Sequence, residues 1–404
     1  MVQFPSPQTR EIVKACVPAL QASGLDITHE MYKRLLADEE IRDLFNMSHQ
    51  KDGEQPKALA LAVLAYARHI DNPGALQAML ERIAEKHVGL NILPRHYPFV
   101  GKALLGAIAH VLGDAATPAV MDAWTEAYGF LADVLINREA EIYKAHEDLP
   151  GGWTGWRHFK VAQRHDENAF VTTFTLTPED GKPVMQHRAG QYLSFKLKIP
   201  GHGSQRRNYT ISSSPSNDHY TITVKRRDDG VVSSWLHCSA MEGTILDVSA
   251  PAGDFYLNET SERPIVFLSA GVGLTPMVSM METLIARGKH PSMRYVHGAH
   301  DVKSDIFADR IKELAAKGEI SADLFYTTEK PDENIANVTF HKGHISQDWI
   351  RDTLNQDAIY YICGPDDFMR DTVKLLKSHG LPDDQIRYEM FGSASDAYLS
   401  TAGI

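Results

Sequence analysis

The amino-acid sequence predicts three differently built parts in series: an all-α domain, an antiparallel β-barrel, and an α/β domain on a parallel sheet. Three textures predict them. Up to about His146, apolar residues recur three and four apart, as in KALALAVLAYARHI and PGALQAMLERIAEKH, which is the period of helices with one buried face. From about Arg157 to Asn258 come short strand-like runs, HFKVAQ, FVTTFTL, QYLSFKLKI, YTITVKRR and TILDVSA, broken by PEDGKP, SPSND and RDDG. That spacing suits a barrel. After Arg263 strands alternate with helices, in PIVFLSA, PMVSMMETLIARGK, MRYVHGA, AIYYICG and DDFMRDTVKLLKSHG, the order that builds a parallel sheet. The Gly- and Pro-rich DLPGGWTGWR between the first two parts reads as a linker. The boundaries that follow are 1–147, 153–259 and 262–404.

Composition narrows the function classes. The chain has 404 residues and a formal net charge of -11, which argues against nucleic acid as a partner, because phosphate binding needs a basic face. Cys16, Cys238 and Cys363 are far apart and form neither a disulfide scaffold nor a cysteine zinc site. The opening MVQFPSPQTR lacks the apolar core of a signal peptide. No apolar run approaches the roughly 20 residues of a membrane span. The expectation is a soluble cytoplasmic protein, not integral to a membrane.

In the helical part, Leu76, Leu80, Ile83 and His87 fall on one face, so His87 ends an apolar stripe and Gly89 loosens the backbone after it. Such an imidazole can bind haem iron through Nε2 or hydrogen-bond a carbonyl. Leu59, Val63, Tyr66 and Ile70 form a second stripe. Gln55 extends it toward the helix start, as a cap or into a pocket. Tyr32 shares a face with Thr28, Leu35 and Leu36, and Phe45 reads as core. Glu139 continues the stripe Trp124, Tyr128, Leu131 and Leu135: buried, it needs a partner, and exposed, it carries no meaning.

Taken together, Tyr32, Phe45 in LFNMSHQKDGEQ, Gln55, Leu59, His87 in AEKHVGL, Tyr97 and Glu139 in NREAEIY resemble, in order and interval, the globin module of flavohaemoglobins. The resemblance implies that His87 is the proximal ligand of haem b, with Tyr97 and Glu139 as a hydrogen-bonded relay beside it. It implies that Tyr32 and Gln55 lie over bound dioxygen, that Phe45 and Leu59 wall the pocket, and that Lys86 tunes the haem and flavin potentials. A carboxylate on Nδ1–H gives the imidazole anionic character and favours O–O activation over storage.

RRNYTIS (206–212) resembles the Arg-x-Tyr-Ser/Thr signature of ferredoxin-reductase-like flavin domains, although by itself it is also an exposed basic strand. The resemblance implies FAD contacts from Arg207, Asn208, Tyr209 and Thr210, with Tyr209 on the isoalloxazine and Thr210 near its N5. GVVSSWL (230–236) resembles the family's Gly-x-Val-Ser-x-x-Leu, where a helix N-terminus meets the diphosphate. Its Ser233 reads as the capping residue. Tyr192 in AGQYLSF matches a further FAD contact.

SAGVGLTPM (269–277) follows a strand and opens a helix. Its glycines allow close backbone approach to a pyrophosphate, and Pro276 suits a first helical turn. It resembles the Gly-Val-Gly-x-Thr-Pro loop that binds NADH or NADPH, here Gly271, Val272, Gly273, Leu274, Thr275 and Pro276. YYICGPDDFM (360–369) resembles the second half of that signature, which implies Cys363 near the nicotinamide and Gly364 for the turn, although a buried Cys is otherwise a small hydrophobe. YEMFG (388–392) resembles the family's Tyr-Glu-x-Phe-Gly, which implies a potential-tuning Glu389, then Met390, a flavin-stacking Phe391 and Gly392. Ser393 stands where proline is usual. HGAHDVKS (297–304) holds both Asp301, which favours NADH, and Lys303, which favours NADPH.

The resemblance implies a nitric oxide dioxygenase that converts NO and O2 to nitrate, electrons passing from NAD(P)H through FAD to haem. The alternatives are a hydroperoxide or ferric-haem reductase, or, from a different class, a gas sensor or oxygen carrier. A monomer is expected, with a lipid ligand in the haem pocket left open.

Overall fold

A computed structural model of the protein describes residues 3–42, 44 and 54–391; of Glu39, Glu40, Glu54 and Gln55 the side chains are not described. Phe45, Gly392 and Ser393, three of the expected contacts, lie outside the described residues. Met1–Trp156 with Ser194–Arg207 forms the body of one compact unit, and Arg157–Leu193 with Asn208–Phe391 forms a second.

Seven helices are described in the first unit: α1 Pro7–Ala15, α2 Val17–Leu35, α3 Glu39–Arg42, α4 Glu54–Arg68, α5 Gln77–Gly89, α6 Tyr97–Leu112 and α7 Pro118–Asp148. Local chemistry sets two of the starts. Ser6 Oγ accepts from Thr9 N ahead of Pro7, and Thr117 Oγ1 accepts from Val120 N ahead of Pro118, each a capped end with proline just inside it. Apolar faces then choose the partners. Ile27, Met31 and Leu35 of α2 pack with Tyr66, Leu104, Ile108 and Trp124. Ala84 and Val88 of α5 pack with Tyr97, Leu135 and Ile142 of α6 and α7 in a smaller cluster. Arg138 grips Glu81 with both ends of its guanidinium, at 2.6 and 2.7 Å, holding α5 and α7 in register beside that cluster.

Helix α5 does not loosen at Gly89, which is still helical. The chain reverses at Asn91, whose φ of 56° is left-handed, a conformation that asparagine tolerates. Asn91 N donates to Val88 O at 3.0 Å and Ile92 N to His87 O at 2.9 Å, the paired bonds of a Schellman stop. The backbone of His87 is therefore tied into the helix end itself.

In the second part of the chain, β1 Arg157–Asn168, β2 Val171–Pro178, β3 Tyr192–Ile199, β4 Gly203–Thr210, β5 Tyr220–Lys225 and β6 Ile245–Val248 form a sheet of order β4-β3-β6-β1-β2-β5. Its paired strands β1–β2, β1–β6 and β2–β5 are antiparallel. A bridge from Ile211, just past β4, to Ile222 in β5 brings the two ends of that order together. Phe159, Phe174, Leu176, Tyr220 and Ile222 alternate inward and are fully buried, as one-sided strands require. Helix α8, Val231–Ser239, precedes β6.

His187 makes this part sensitive to acid. It is 3% exposed, with Nε2 3.2 Å from the Ser213 carbonyl, and burial pushes its pKa down to about 4. An unfolded histidine titrates near 6.5. Between those values the unfolded chain binds the extra proton, so stability rises with pH and is lost as pH falls from about 6.5 toward 4. The full effect is about 3 kcal/mol. Denaturant unfolding of the full chain at pH 7 and pH 5 measures it: His187→Phe is expected to flatten the pH slope, and an equally steep slope in that variant would remove His187 as the cause.

The last sheet is parallel throughout, with order β10-β9-β8-β7-β11-β12. Its strands are β7 Ile265–Ala270, β8 Met293–Ala299, β9 Ser321–Tyr326, β10 Val338–Lys342, β11 Ile359–Cys363 and β12 Ile386–Glu389. Helices α9 Thr275–Ala286, α10 Ala308–Ala316, α11 Gln347–Asp352 and α12 Asp366–Ser378 connect them. The order runs one way from β7 to β10 and the other way from β11 to β12, which puts the switch point between β7 and β11. Ligands of such sheets bind outside the carboxyl ends at that place. Among the described residues, no helix is long and apolar enough to cross a membrane.

Candidate active site

Three side chains from three helices converge in the first unit. His87 Nδ1 lies 2.7 Å from Glu139 Oε1 and 3.1 Å from Tyr97 Oη, and Tyr97 Oη donates to the same Glu139 oxygen at 2.5 Å. Glu139 is 2% exposed and Tyr97 is 7% exposed, whereas the His87 side chain is 31% exposed. Burial first, and then the Glu139 charge, push the Tyr97 phenol far above its ordinary value, so it stays an O–H donor. Glu139 Oε2 is buried with no hydrogen-bond partner among the described residues. An acceptor left so costs about 1–3 kcal/mol. The arrangement concentrates the carboxylate on the imidazole and leaves Nε2, the other ring nitrogen, for a ligand.

Two tyrosines brace this triad. Tyr128 Oη donates to the Tyr97 carbonyl at 2.6 Å, and Tyr143 Oη donates to the Ile92 carbonyl at 2.8 Å. The space for Tyr128 exists because position 101 is glycine: a Cβ there would lie 2.5 Å from the Tyr128 ring. In the sequence Tyr128 reads only as part of a core stripe, and Tyr143 and Gly101 carry no such reading. The spacing of Tyr143 four residues after Glu139 was the available signal.

Tyr32 is buried on α2 among Thr28, Met31 and Leu35, and burial raises its phenol well above the ordinary range. It is therefore a hydroxyl donor at any physiological pH. Leu59 is half-buried against the same core, and Gln55 is the second residue of α4. Lys86 is the helical neighbour of His87.

In the second part, β4 carries Arg207, Asn208, Tyr209 and Thr210 in succession. Asn208 is exposed, and Arg207, Tyr209 and Thr210 are half-buried. Tyr192 is buried and exchanges both backbone bonds with Ala252, each at 3.0 Å. Gly253 beside it has φ 112°, and a Cβ there would lie 2.8 Å from the Tyr192 ring. Ser233 departs from its expected role. The N-cap of α8 is Gly230, and no side chain caps that end. Ser233 sits inside the first turn, where its Oγ accepts from Arg227 N at 3.1 Å and ties down the preceding loop.

At the switch point, the turn Gly271–Leu274 after β7 meets the end of β11. Pro276 lies in the first turn of α9, as expected, and no side chain caps that helix. The two glycines have different tasks. Gly271 takes φ 55° and faces open space. Gly273 packs on backbone: a Cβ there would lie 2.3 Å from the Cys363 carbonyl oxygen and 2.8 Å from Gly364 N. Its lack of a side chain serves loop-to-loop packing, where the sequence suggested approach to a ligand. Cys363 is fully buried opposite Glu389 in register. Burial, and then the Glu389 charge, push its thiol well above the ordinary value. Met390 is buried and Phe391 exposed. Asp301 holds Ser304 N at 2.8 Å, a bond that draws its carboxyl below the usual range. The Lys303 carbonyl accepts from Asn168 at 3.1 Å.

Comparison with known proteins matches these three regions in turn. The globin family matches residues 29–135, the oxidoreductase FAD-binding domain 158–256, and the oxidoreductase NAD-binding domain 267–374. The flavohemoprotein of Xylella fastidiosa (strain 9a5c) is 46% identical over 389 residues, which is 96% of this chain and 97% of its own. The chain belongs to the flavohemoprotein family. Another flavohemoprotein, from Bacillus subtilis (strain 168), is 40% identical over 95% of this chain and 97% of its own. The flavohemoglobin of Malassezia yamatoensis, solved with bound FAD and heme, has a TM-score of 0.84 and 29% identity over 96% of this chain and 99% of its own. The FAD/NAD-binding domain of nitric oxide dioxygenase from Vibrio cholerae O1 biovar El Tor has a TM-score of 0.52 and 33% identity over 58% of this chain and 98% of its own.

Flavohemoprotein membership makes this chain an oxidoreductase of haem, FAD and a nicotinamide dinucleotide. The residues present fit all three groups. For haem there is an imidazole whose Nδ1 is held by a buried carboxylate and whose Nε2 has no hydrogen bond among the described residues. For FAD there is the uncapped start of α8, with Tyr192 held against Gly253. For the dinucleotide there is the turn Gly271–Leu274, which opens with Gly271 at φ 55° and runs straight into α9 at the switch point. Uncapped first-turn amides suit a phosphate.

Proposed function

We propose that the chain is an NAD(P)H-dependent nitric oxide dioxygenase that converts NO and O2 to nitrate. The observation that carries this reading is the 2.7 Å contact between His87 Nδ1 and the buried Glu139 carboxylate. Such a contact raises the electron-donating power of an iron-ligating imidazole, which favours oxygen activation over storage. When bound, the dinucleotide supplies hydride, FAD single electrons and haem the oxygen chemistry. The protein supplies position and charge. His87 would hold the iron, and Tyr97 and Glu139 would hold His87 in one tautomer, Nδ1–H toward the carboxylate. Tyr32 and Gln55 would face the oxygen side, with Leu59 and Phe45 as apolar walls that exclude water, and Lys86 would adjust the local charge.

Arg207, Asn208, Tyr209, Thr210, Tyr192 and Ser233 would bind FAD, together with Glu389, Met390, Phe391, Gly392 and Ser393. The turn Gly271–Pro276 and Cys363–Gly364 would take the dinucleotide. The divisions we adopt, 1–147, 153–259 and 262–404, contain the three matched regions at 29–135, 158–256 and 267–374.

Nitrate formation from NO by the full-length holoprotein, with NADH or NADPH in air, tests the activity. It should collapse when oxygen is removed, and turnover of a lipid hydroperoxide that persists without oxygen would favour the reductase alternative. Tyr32→Phe is expected to speed dioxygen release about tenfold, the value of one good charge-assisted bond in a dry pocket. Flash photolysis or stopped-flow measures it, and an unchanged release rate would remove Tyr32 from the oxygen side.

A further inference from the structure

The nucleotide end of the molecule contains a buried polar chain that none of the roles above uses. Ser269 Oγ lies 2.8 Å from His297 Nδ1. His297 Nε2, which makes no hydrogen bond among the described residues, points at Asp305 Oδ1 from 3.7 Å. Tyr326 Oη donates to Asp305 Oδ2 at 2.6 Å. The Tyr295 ring stacks on His297 with centroids 5.8 Å apart and planes 14° off parallel. All five residues are buried. Either Ser269 Oγ or His297 Nδ1 can be the donor in the first of these contacts. The chain runs from the Ser269 hydroxyl through the His297 ring to Asp305, which Tyr326 holds from the other side.

Burying a carboxylate costs several kcal/mol unless its partners compensate, and an apolar residue would fill the space as well. Position explains the choice better than stability does. Ser269 is two residues before Gly271, and Tyr326 ends β9. Asp305 sits in the 300–307 loop that leaves β8. That loop is held at both ends. At its start, the His300 carbonyl accepts from Thr327 Oγ1, Thr328 Oγ1 and Thr328 N at 2.9, 3.2 and 3.2 Å. Within it, Asp301 and Ser304 bind each other's amides at 2.8 and 2.9 Å. At its end, Phe307 takes φ 63°. A bulky residue in that conformation costs about 1–3 kcal/mol, persists only where the surroundings over-determine it, and such residues cluster at active sites, ligand clamps and switch regions.

We propose that Ser269, His297, Asp305 and Tyr326 are positioning residues for the nicotinamide dinucleotide, locking the 300–307 loop to the Gly271–Leu274 turn so that both halves of its seat exist before it binds. Preorganisation of this kind raises affinity by removing the ordering cost from the binding step. The inference rests on dinucleotide binding at this switch point and is independent of the oxygen reaction.

Anaerobic stopped-flow reduction of the flavin in the full-length holoprotein tests it, using whichever of NADH and NADPH reduces the unaltered protein. Tyr326→Phe, which removes one oxygen, is expected to raise the half-saturating dinucleotide concentration about tenfold, equivalent to about 1.4 kcal/mol. Limiting reduction rate, FAD content and haem spectrum are expected to stay as they were. Asp305→Asn is expected to act in the same direction. Amide hydrogen exchange at 271–275 and 300–305 is expected to quicken in the unliganded Tyr326→Phe protein. Unchanged half-saturation overturns the proposal, as does a rise accompanied by equal losses of limiting rate and FAD, which marks a merely structural role. Unaltered protein whose flavin neither dinucleotide reduces defeats the nucleotide reading itself, a result distinct from either.

Discussion

His87→Ala is expected to abolish the haem absorption band of the purified protein while NAD(P)H still reduces its flavin. Alanine keeps the helix, since no residue has a higher helix propensity, and the Schellman stop at Asn91 depends on backbone bonds alone. The loss falls on one nitrogen. Glu139 keeps the Tyr97 hydroxyl at 2.5 Å but loses its contact with Nδ1 at 2.7 Å, which costs about 1–3 kcal/mol. A domain stable by 5–15 kcal/mol survives that. Nitric oxide turnover should fall to background. Absorption spectra before and after anaerobic dinucleotide addition provide both readouts. A retained Soret band would mean that another residue holds the iron, and loss of flavin reduction as well would mean that the damage is not confined to the ligand.

Gly273→Ala is expected to be the most damaging single methyl group in the nucleotide half. Its Cβ would lie 2.3, 2.5 and 2.8 Å from Cys363 O, Cys363 C and Gly364 N, and real Cβ atoms essentially never come so close. All three are backbone atoms at the end of a buried central strand, so none can swing aside as a side chain would. The turn must lift from β11, and the two loops that flank the switch point separate. Overpacking of this kind costs about 1–3 kcal/mol or more. Half-saturation for flavin reduction should rise at least about tenfold, which is the same 1.4 kcal/mol, with the haem spectrum unaltered. Gly271→Ala is the internal comparison. It is strained by φ 55° but meets no protein atom within 4 Å, so its cost to the fold is about 1–2 kcal/mol of local strain, with β11 left in place. Equal, small effects at both positions would falsify the packing role given to Gly273.

The parts of the molecule that were readable before the fold was known are those with a strong local signal. Helices α4 and α5 carry a clear period, β1, β2 and β5 alternate, and β7, α9, β11 and α12 follow recognisable turns. Strands β9, β10 and β12 went unassigned because short, buried parallel strands show neither alternation nor the length that separates them from helix fragments. Ser233 has the residue type of a cap, but the cap is decided by where the helix starts, and its N-cap is Gly230.

Domain order and the three cofactor classes are within reach of pattern and motif, because each motif sits in residues close together in the chain, and His87 is the iron-ligand candidate that the family resemblance offers. Whether Glu139 is a surface carboxylate or the partner of His87, and whether Gly273 faces a ligand or the Cys363 carbonyl, depended on contacts across 52 and 90 residues respectively. Such contacts exist only once apolar faces have packed whole elements together. Periodicity reports which face of a helix or strand turns inward, and says nothing about what that face will meet.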